Sequence, residues 1–266
     1  MQSYLDVDGV TIAYPRGSII TEAVRGVTFG LKRQEFVVLV GPSGCGKTTL
    51  LHAIGGLMPV TKGEIRLSGH PVTGPGPDRV MVFQEYSLFR WRTVRSNIEF
   101  ALECTRVPRT KRGPIVDRLL LQVGLEQHGE VFPDRLSGGM KQRVAIARAL
   151  AYDAETLLMD EPFGALDAQT RLVMQALLLE VWEGSGKTVL FVTHDIDEAI
   201  YLADRVLIMS SGPGMIKAEY EVSAPRPRPD NFLLSEEFLR LKREIFGSIR
   251  NEYFRKVDKK QKVPVT

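Results

Sequence analysis

The run Glu35-Phe36-Val37-Val38-Leu39-Val40, followed at once by Gly41-Pro42-Ser43-Gly44-Cys45-Gly46-Lys47-Thr48, constrains this chain more than any other stretch. Apolar residues on consecutive positions suit a strand buried on both faces, as in a parallel sheet. A glycine-rich turn then feeds Thr48-Thr49-Leu50-Leu51, which reads as the opening of a helix. Glycines there let successive backbone N–H groups curl around phosphate oxygens at the helix N-terminus, and the spacing of Gly41, Gly46, Lys47 and Thr48 is that of a phosphate loop. Lys47 suits the β- and γ-phosphates, Thr48 a hydroxyl contact to Mg²⁺, and Thr49 the α-phosphate. The pattern predicts binding of a nucleoside triphosphate.

Two further apolar runs stop at polar residues: Glu155-Thr156-Leu157-Leu158-Met159-Asp160 and Thr188-Val189-Leu190-Phe191-Val192-Thr193. Helical spacing from Leu172 to Trp182 separates them, which predicts an α/β fold with a parallel sheet and helices on both faces. Residues 5 to 40 alternate short β-branched runs, such as Val10 to Tyr14, with turn signals. Residues 91 to 152 lose the strand pattern and read as a helical subdomain, with apolar spacing in Ile115-Val116-Leu119-Leu120-Val123 and Val144-Ile146-Ala147-Ala149-Leu150. From Ala224 the chain runs through Pro225-Arg226-Pro227-Arg228-Pro229 into an amphipathic helix from Phe232 to Tyr253 and a basic stretch from Arg255 to Lys262. Such a tail reads as a solvated end.

Composition mainly excludes. With 35 basic and 32 acidic residues the net charge is +3, too balanced to argue for nucleic acid or an anionic membrane. Two cysteines, Cys45 and Cys104, make no disulfide framework, and the N-terminal MQSYLDVDGV lacks the pattern of a secretion signal, so the expected compartment is the cytoplasm. No run approaches the 18 or so apolar residues of a spanning helix, so any transmembrane path must come from other subunits.

A phosphate loop alone does not separate a kinase, a GTPase and an ATPase. Asp160 ends an apolar strand, where a carboxylate can hold Mg²⁺ through water, and Glu161 beside it can polarise an attacking water. Leu136-Ser137-Gly138-Gly139-Met140-Lys141-Gln142-Arg143 then resembles the LSGGQ signature of the ABC ATPases. Ser137 and the two glycines open a helix, so hydroxyl and backbone donors point at an anion there, although the same residues also suit an ordinary serine cap.

The resemblance to ABC ATPases covers roughly residues 5 to 222. It implies a P-loop NTPase (RecA-like) fold: a parallel-sheet core, an antiparallel β subdomain and a helical signature subdomain. The ATPase domain is expected over 1–223, with its core at 1–90 and 153–223, its helical subdomain at about 91–152, and a helical basic tail at 224–266. It further implies ATP and Mg²⁺, with the nucleotide on Tyr14, which stacks on adenine, and on Gly41, Pro42, Ser43, Gly44, Cys45, Gly46, Lys47, Thr48 and Thr49. Glu161, Gln84 and His194 match the catalytic positions; Thr48, Gln84 and, through water, Asp160 match the metal positions. Ser137, Gly138 and Gly139 are expected to meet the γ-phosphate held by a partner subunit, and Asp167 to arrange the opposite site, though Asp167 also suits a helix cap.

Departures from the family pattern are Gln34 where Gly is usual and Met140 in place of the signature glutamine. Gly76-Pro77-Asp78-Arg79, Phe83-Gln84-Glu85, Trp91-Arg92-Thr93-Val94 and the stretch from Asp160 to Arg171 look like the importers of nitrate, sulfonates and taurine, with Arg90 where that group has proline. The implied partners are a second ATPase subunit, most simply another copy, transmembrane permease subunits and a solute-binding protein. The implied location is peripheral, on the cytoplasmic face of the inner cell membrane, with no specific nucleic acid. The alternative is a soluble ABC ATPase acting on nucleic acid or ribosomes, but the paired cassettes, coiled coil or zinc-ligand cysteines usual there do not occur. Cys45, beside Lys47 and a helix N-terminus, is expected to react with thiol reagents and so to block ATP binding.

Overall fold

The computed structural model describes residues 3–16, 19–229 and 231–261. The chain divides into two compact units, Met1–Gly76 with Thr188–Thr266, and Pro77–Lys187.

The first unit opens with β1 (Leu5–Arg16) and β2 (Ile19–Leu31), antiparallel, with Leu5 opposite Leu31 and Val10 opposite Val27. Strand β3 (Phe36–Val40) follows, buried at every residue as its unbroken apolar run predicts, and delivers the glycine turn and helix α1 (Lys47–Ile54). Strands β4 (Lys62–Leu67) and β5 (His70–Pro71) complete an antiparallel sheet in the order β2-β1-β4-β5.

In the second unit β6 (Arg79–Val82) pairs in parallel with β7 (Thr156–Asp160). Between them lie α2 (Val94–Cys104), α3 (Arg109–Gln122) and α4 (Gly138–Ala151). Their apolar faces build one core, with Ile98, Leu102, Val116, Leu120, Val123, Val144 and Ala147 all buried. Three helices hold together because each contributes residues three and four apart to this common face. After β7 comes α5 (Ala168–Glu183).

The chain then returns to the first unit with β8 (Thr188–Thr193), α6 (Ile196–Leu202), β9 (Arg205–Met209) and β10 (Ile216–Glu221). Their order there is β10-β9-β3-β8, with β8 and β9 parallel to β3 and β10 antiparallel to β9. In this register Val40 stands opposite Thr193, so β3 and β8 end side by side just before Gly41 and His194.

The amphipathic helix expected between Phe232 and Tyr253 forms, but the segment is not a solvated end. Helix α7 (Glu236–Gln261) and the turn before it bury Phe232, Phe238, Leu241, Ile245 and Ile249, removing an apolar stripe from water. Lys262 and the rest of the expected tail lie outside the described residues. Among the described residues no helix is long and apolar enough to cross a membrane.

Candidate functional site

The glycine turn forms at the carboxyl end of β3, where ligands of parallel α/β sheets bind. Two of its glycines are required by space. A Cβ on Gly41 would stand 2.7 Å from the Met209 carbonyl oxygen, and Gly46, at φ 103°, would place one 2.7 Å from that of Ala23. Gly46 is also the N-cap of α1 and makes no side-chain cap bond there. The first N–H groups of the helix and the positive end of its dipole make a cradle that fits phosphate. Lys47, 4% exposed, folds back so that Nζ donates to the Gly41 and Pro42 carbonyls at 2.8 and 3.3 Å. Pro42 is buried, while Ser43, Gly44 and Thr48 are exposed at the mouth.

Cys45 corrects the expectation of a reactive thiol. Its N–H donates to Pro42 O at 3.2 Å, so its backbone belongs to the loop, but the residue is 1% exposed, with its sulfur behind Gly41 and its carbonyl against Gly214. Reagent has no direct path to it.

Two expected nucleotide residues touch each other: the Tyr14 hydroxyl lies 3.1 Å from Thr49 Oγ1 and 3.0 Å from Met58 Sδ. His194 is exposed immediately after β8. The next residue, Asp195, caps α6 by accepting from the Asp197 and Glu198 N–H groups at 2.9 and 3.1 Å.

The other expected residues lie in the second unit. Asp160 is the last residue of β7 and is buried; Glu161 follows at φ 42°, a left-handed conformation that disfavours any side chain. Gln84 is exposed after β6. The Gln84 amide and the Glu161 carboxylate both come to within 4 Å of the point where a Cβ on Gly164 would stand, so the structure places both groups around this glycine. Ser137 caps α4, accepting from Met140 N at 3.3 Å. A hydroxyl that accepts in the cap still has its proton to give to an anion. Gly138 is exposed and Gly139 buried, where a Cβ would press to 2.7 Å from Thr170 Cγ2. Asp167 caps α5, accepting from the Thr170 N–H at 3.0 Å and its hydroxyl at 2.7 Å. The backbone bond first, then the hydroxyl bond, hold its carboxyl below the usual range.

Sequence reasoning missed Arg148. On α4 it donates to the Ser87 and Tyr86 carbonyls at 2.7 and 3.3 Å, and burial lowers its pKa. These bonds tie the helix opened by Ser137 to the loop that follows Gln84. Its only signal in the sequence is an arginine set among the small, mostly buried residues Val144, Ala145, Ala147 and Ala149. Beside it lies a cavity of about 230 Å³ lined by Val82, Phe89, Phe100 and Tyr152, while Trp91 is 75% exposed.

The family model described as ABC transporter matches residues 24–164. An ABC transporter ATP-binding protein of Methanocaldococcus jannaschii is 45% identical over 252 residues, covering 95% of this chain and 93% of that protein. The nitrate import ATP-binding protein of Synechococcus elongatus is 46% identical over 85% of this chain and 82% of its own length. The taurine import ATP-binding protein of Chromobacterium violaceum is 49% identical over 80% of each. Among solved structures, a dimeric ATP-binding cassette in a post-hydrolysis state bound to ADP and Pi matches with a TM-score of 0.74 and 32% identity, over 83% of this chain and all of that one. A phosphate loop on a parallel sheet, a serine-glycine-glycine helix opening and these likenesses converge: the chain belongs to the ABC transporter family, as an ATP-binding ATPase subunit.

Proposed function

We propose that this subunit hydrolyses ATP to drive a membrane importer for nitrate, taurine, a sulfonate or a related small solute, working from the cytoplasmic face with separate permease subunits and a solute-binding protein. The observation that carries the reading is the likeness, at 46–49% identity, to proteins named for nitrate and taurine import. The nucleic-acid alternative finds no support among these relatives.

In this reading the loop from Gly41 to Thr49 takes the phosphates, Lys47 exchanging its carbonyl partners for phosphate oxygens, and Tyr14 stacks on the base. Glu161 accepts a proton as water attacks the γ-phosphorus and ADP leaves, Gln84 orients that water, and His194 contacts the γ-phosphate. Thr48, Gln84 and, through water, Asp160 offer oxygen ligands of the kind Mg²⁺ takes, and the ion when bound neutralises phosphate charge. Two copies close head to tail, Ser137, Gly138 and Gly139 of each completing the site on the other, with Asp167 at the crossing. Hydrolysis then reopens the pair. The segment from Tyr86 to Phe100, with its exposed Trp91 and Arg90, passes the motion to the permease.

Purification of the tagged chain from native membranes in mild detergent, followed by mass spectrometry, tests this reading. A polytopic membrane protein, with or without a solute-binding protein, is expected to accompany it. Recovery with only ribosomal or DNA-repair proteins would overturn the importer and leave the ATPase.

A further inference from the structure

The C-terminal segment closes on both ends of α6, the short helix that follows His194. Just past the end of that helix, Arg226 donates from Nε to Asp204 Oδ1 at 2.7 Å and from a terminal nitrogen to the Leu202 carbonyl at 2.6 Å. Arg228, 8% exposed, donates to the carbonyls of Tyr201, Ala203 and Ala224, and its guanidinium lies 5.0 Å from the Phe232 ring centre. The last carbonyls of a helix have no partner within it and carry its negative dipole end, so the two guanidiniums supply both the missing donors and the complementary charge. At the other end Lys242 of α7 pairs with Asp197, in the first turn of α6, at 2.7 Å. Between these points Phe232 and Phe238 meet edge-on at 5.4 Å, and Leu241 and Ile245 are buried.

Asp204 extends the chain of contacts to the phosphate loop. Its second carboxylate oxygen accepts from the Phe36 N–H at 2.8 Å, and its own N–H donates to Phe36 O at 2.8 Å. Phe36 is the first residue of β3, which ends at the loop. One carboxylate thus joins an arginine of the tail to the strand that carries the phosphate cradle. His194 sits directly before Asp195, the cap of the helix so held. A passive tail would keep its arginines in water; burying Arg228 and half-burying Arg226 against carbonyl and carboxylate oxygens is favourable only with such partners in place.

We propose that Ala224–Pro229 together with α7 form a clasp that sets the position of α6, and through it of His194, against β3 and the phosphate loop, with Arg226 and Lys242 as positioning residues for ATP hydrolysis. The clasp lies outside the matched family segment, residues 24–164. It rests on the reading of His194 as the group that contacts the γ-phosphate.

The test is steady-state ATPase on the full chain for Arg226→Ala, Arg226→Lys, Lys242→Glu, Lys242→Glu with Asp197→Lys, and His194→Ala, each with a melting curve. Arg226→Ala is expected to lower kcat about tenfold, with the KM for ATP within about twofold, and Arg226→Lys to recover most of the loss. The exposed pair is weaker: Lys242→Glu is expected to lower kcat about two- to threefold, and the charge swap to restore it. Hydrogen exchange in Arg226→Ala is expected to rise at the amides of α6. If Arg226→Ala melts earlier yet keeps kcat within about twofold while His194→Ala loses turnover, the tail only stabilises the fold and the clasp is refuted. If His194→Ala keeps parental kcat, the reading of His194 fails and the clasp falls with it.

Discussion

Gln84 and Glu161 flank the same glycine: a Cβ on Gly164 would stand 3.7 Å from Gln84 Nε2 and 3.8 Å from Glu161 Oε2. The same Cβ would lie 3.3 Å from the Glu161 carbonyl oxygen, so a larger side chain crowds both groups at once. Gly164→Val is expected to cut kcat about tenfold or more, with ATP affinity within about threefold, because the proposed mechanism gives binding and chemistry to different residues. Glu161→Gln, which keeps size and removes the base, is expected to turn over at least about a hundredfold more slowly while forming a stable ATP-bound dimer. ATPase assays and light scattering check both; a Glu161→Gln chain that stayed monomeric in ATP would count against the closing model.

Lys47 has a structural duty before any nucleotide arrives. Its ammonium satisfies two carbonyls of its own loop, at Gly41 and Pro42. Lys47→Ala is expected to cost about 1–3 kcal/mol without ligand, because buried acceptors lose their donor. ATP is expected to raise the melting temperature of the parent and to give this variant no protection. Thermal melts with and without nucleotide measure both effects.

The two cysteines are expected to label in an order set by access. Cys104 is exposed and Cys45 is buried. A maleimide reagent is therefore expected to modify Cys104 in the native chain and to reach Cys45 only through local opening, more slowly again with Mg-ATP. Peptide mass spectrometry reads both rates. Equal rates at the two thiols would refute the inward orientation of Cys45.

Asp167 gives a pH dependence of known sign. Its carboxyl, held below the ordinary value of 3.8 by Thr170, favours the folded state above that value and loses this contribution as pH falls through the lowered one. Asp167→Ala is expected to melt earlier than the parent at neutral pH, with the gap narrowing below about pH 4. A gap that widened in acid would mean that the cap is not the source of the effect.

Much of the first unit is legible in the sequence where local chemistry suffices. The apolar run of β3 and the spacing of Gly41, Gly46, Lys47 and Thr48 need no distant partner to be read. Strand β10 was missed although Ile216-Lys217-Ala218-Glu219-Tyr220-Glu221 alternates apolar and polar along its whole length; as an edge strand it is only half-buried on its inner face, and the run is short. Strand β9 was missed although Val206-Leu207-Ile208 is a buried apolar run; the signal was present but short. Arg226 and Arg228 sit in a proline-rich stretch that reads as solvent-exposed, and only tertiary folding brings helix-end carbonyls to them. The inward turn of Cys45 was equally out of reach, since a side chain's direction within a loop depends on what the loop packs against. In the second unit Ser137 and Asp167 were legible as helix openings, but nothing local announced that Arg148 would be spent on the Tyr86 and Ser87 carbonyls.

In the proposed mechanism, where Glu161 is the base, its left-handed backbone sets heat tolerance against turnover. Glycine would sit at φ 42° about 1 kcal/mol more comfortably than glutamate does. A selection for sturdier forms of this chain would therefore gather Glu161→Gly, and each survivor would be a more durable protein that no longer works as an engine.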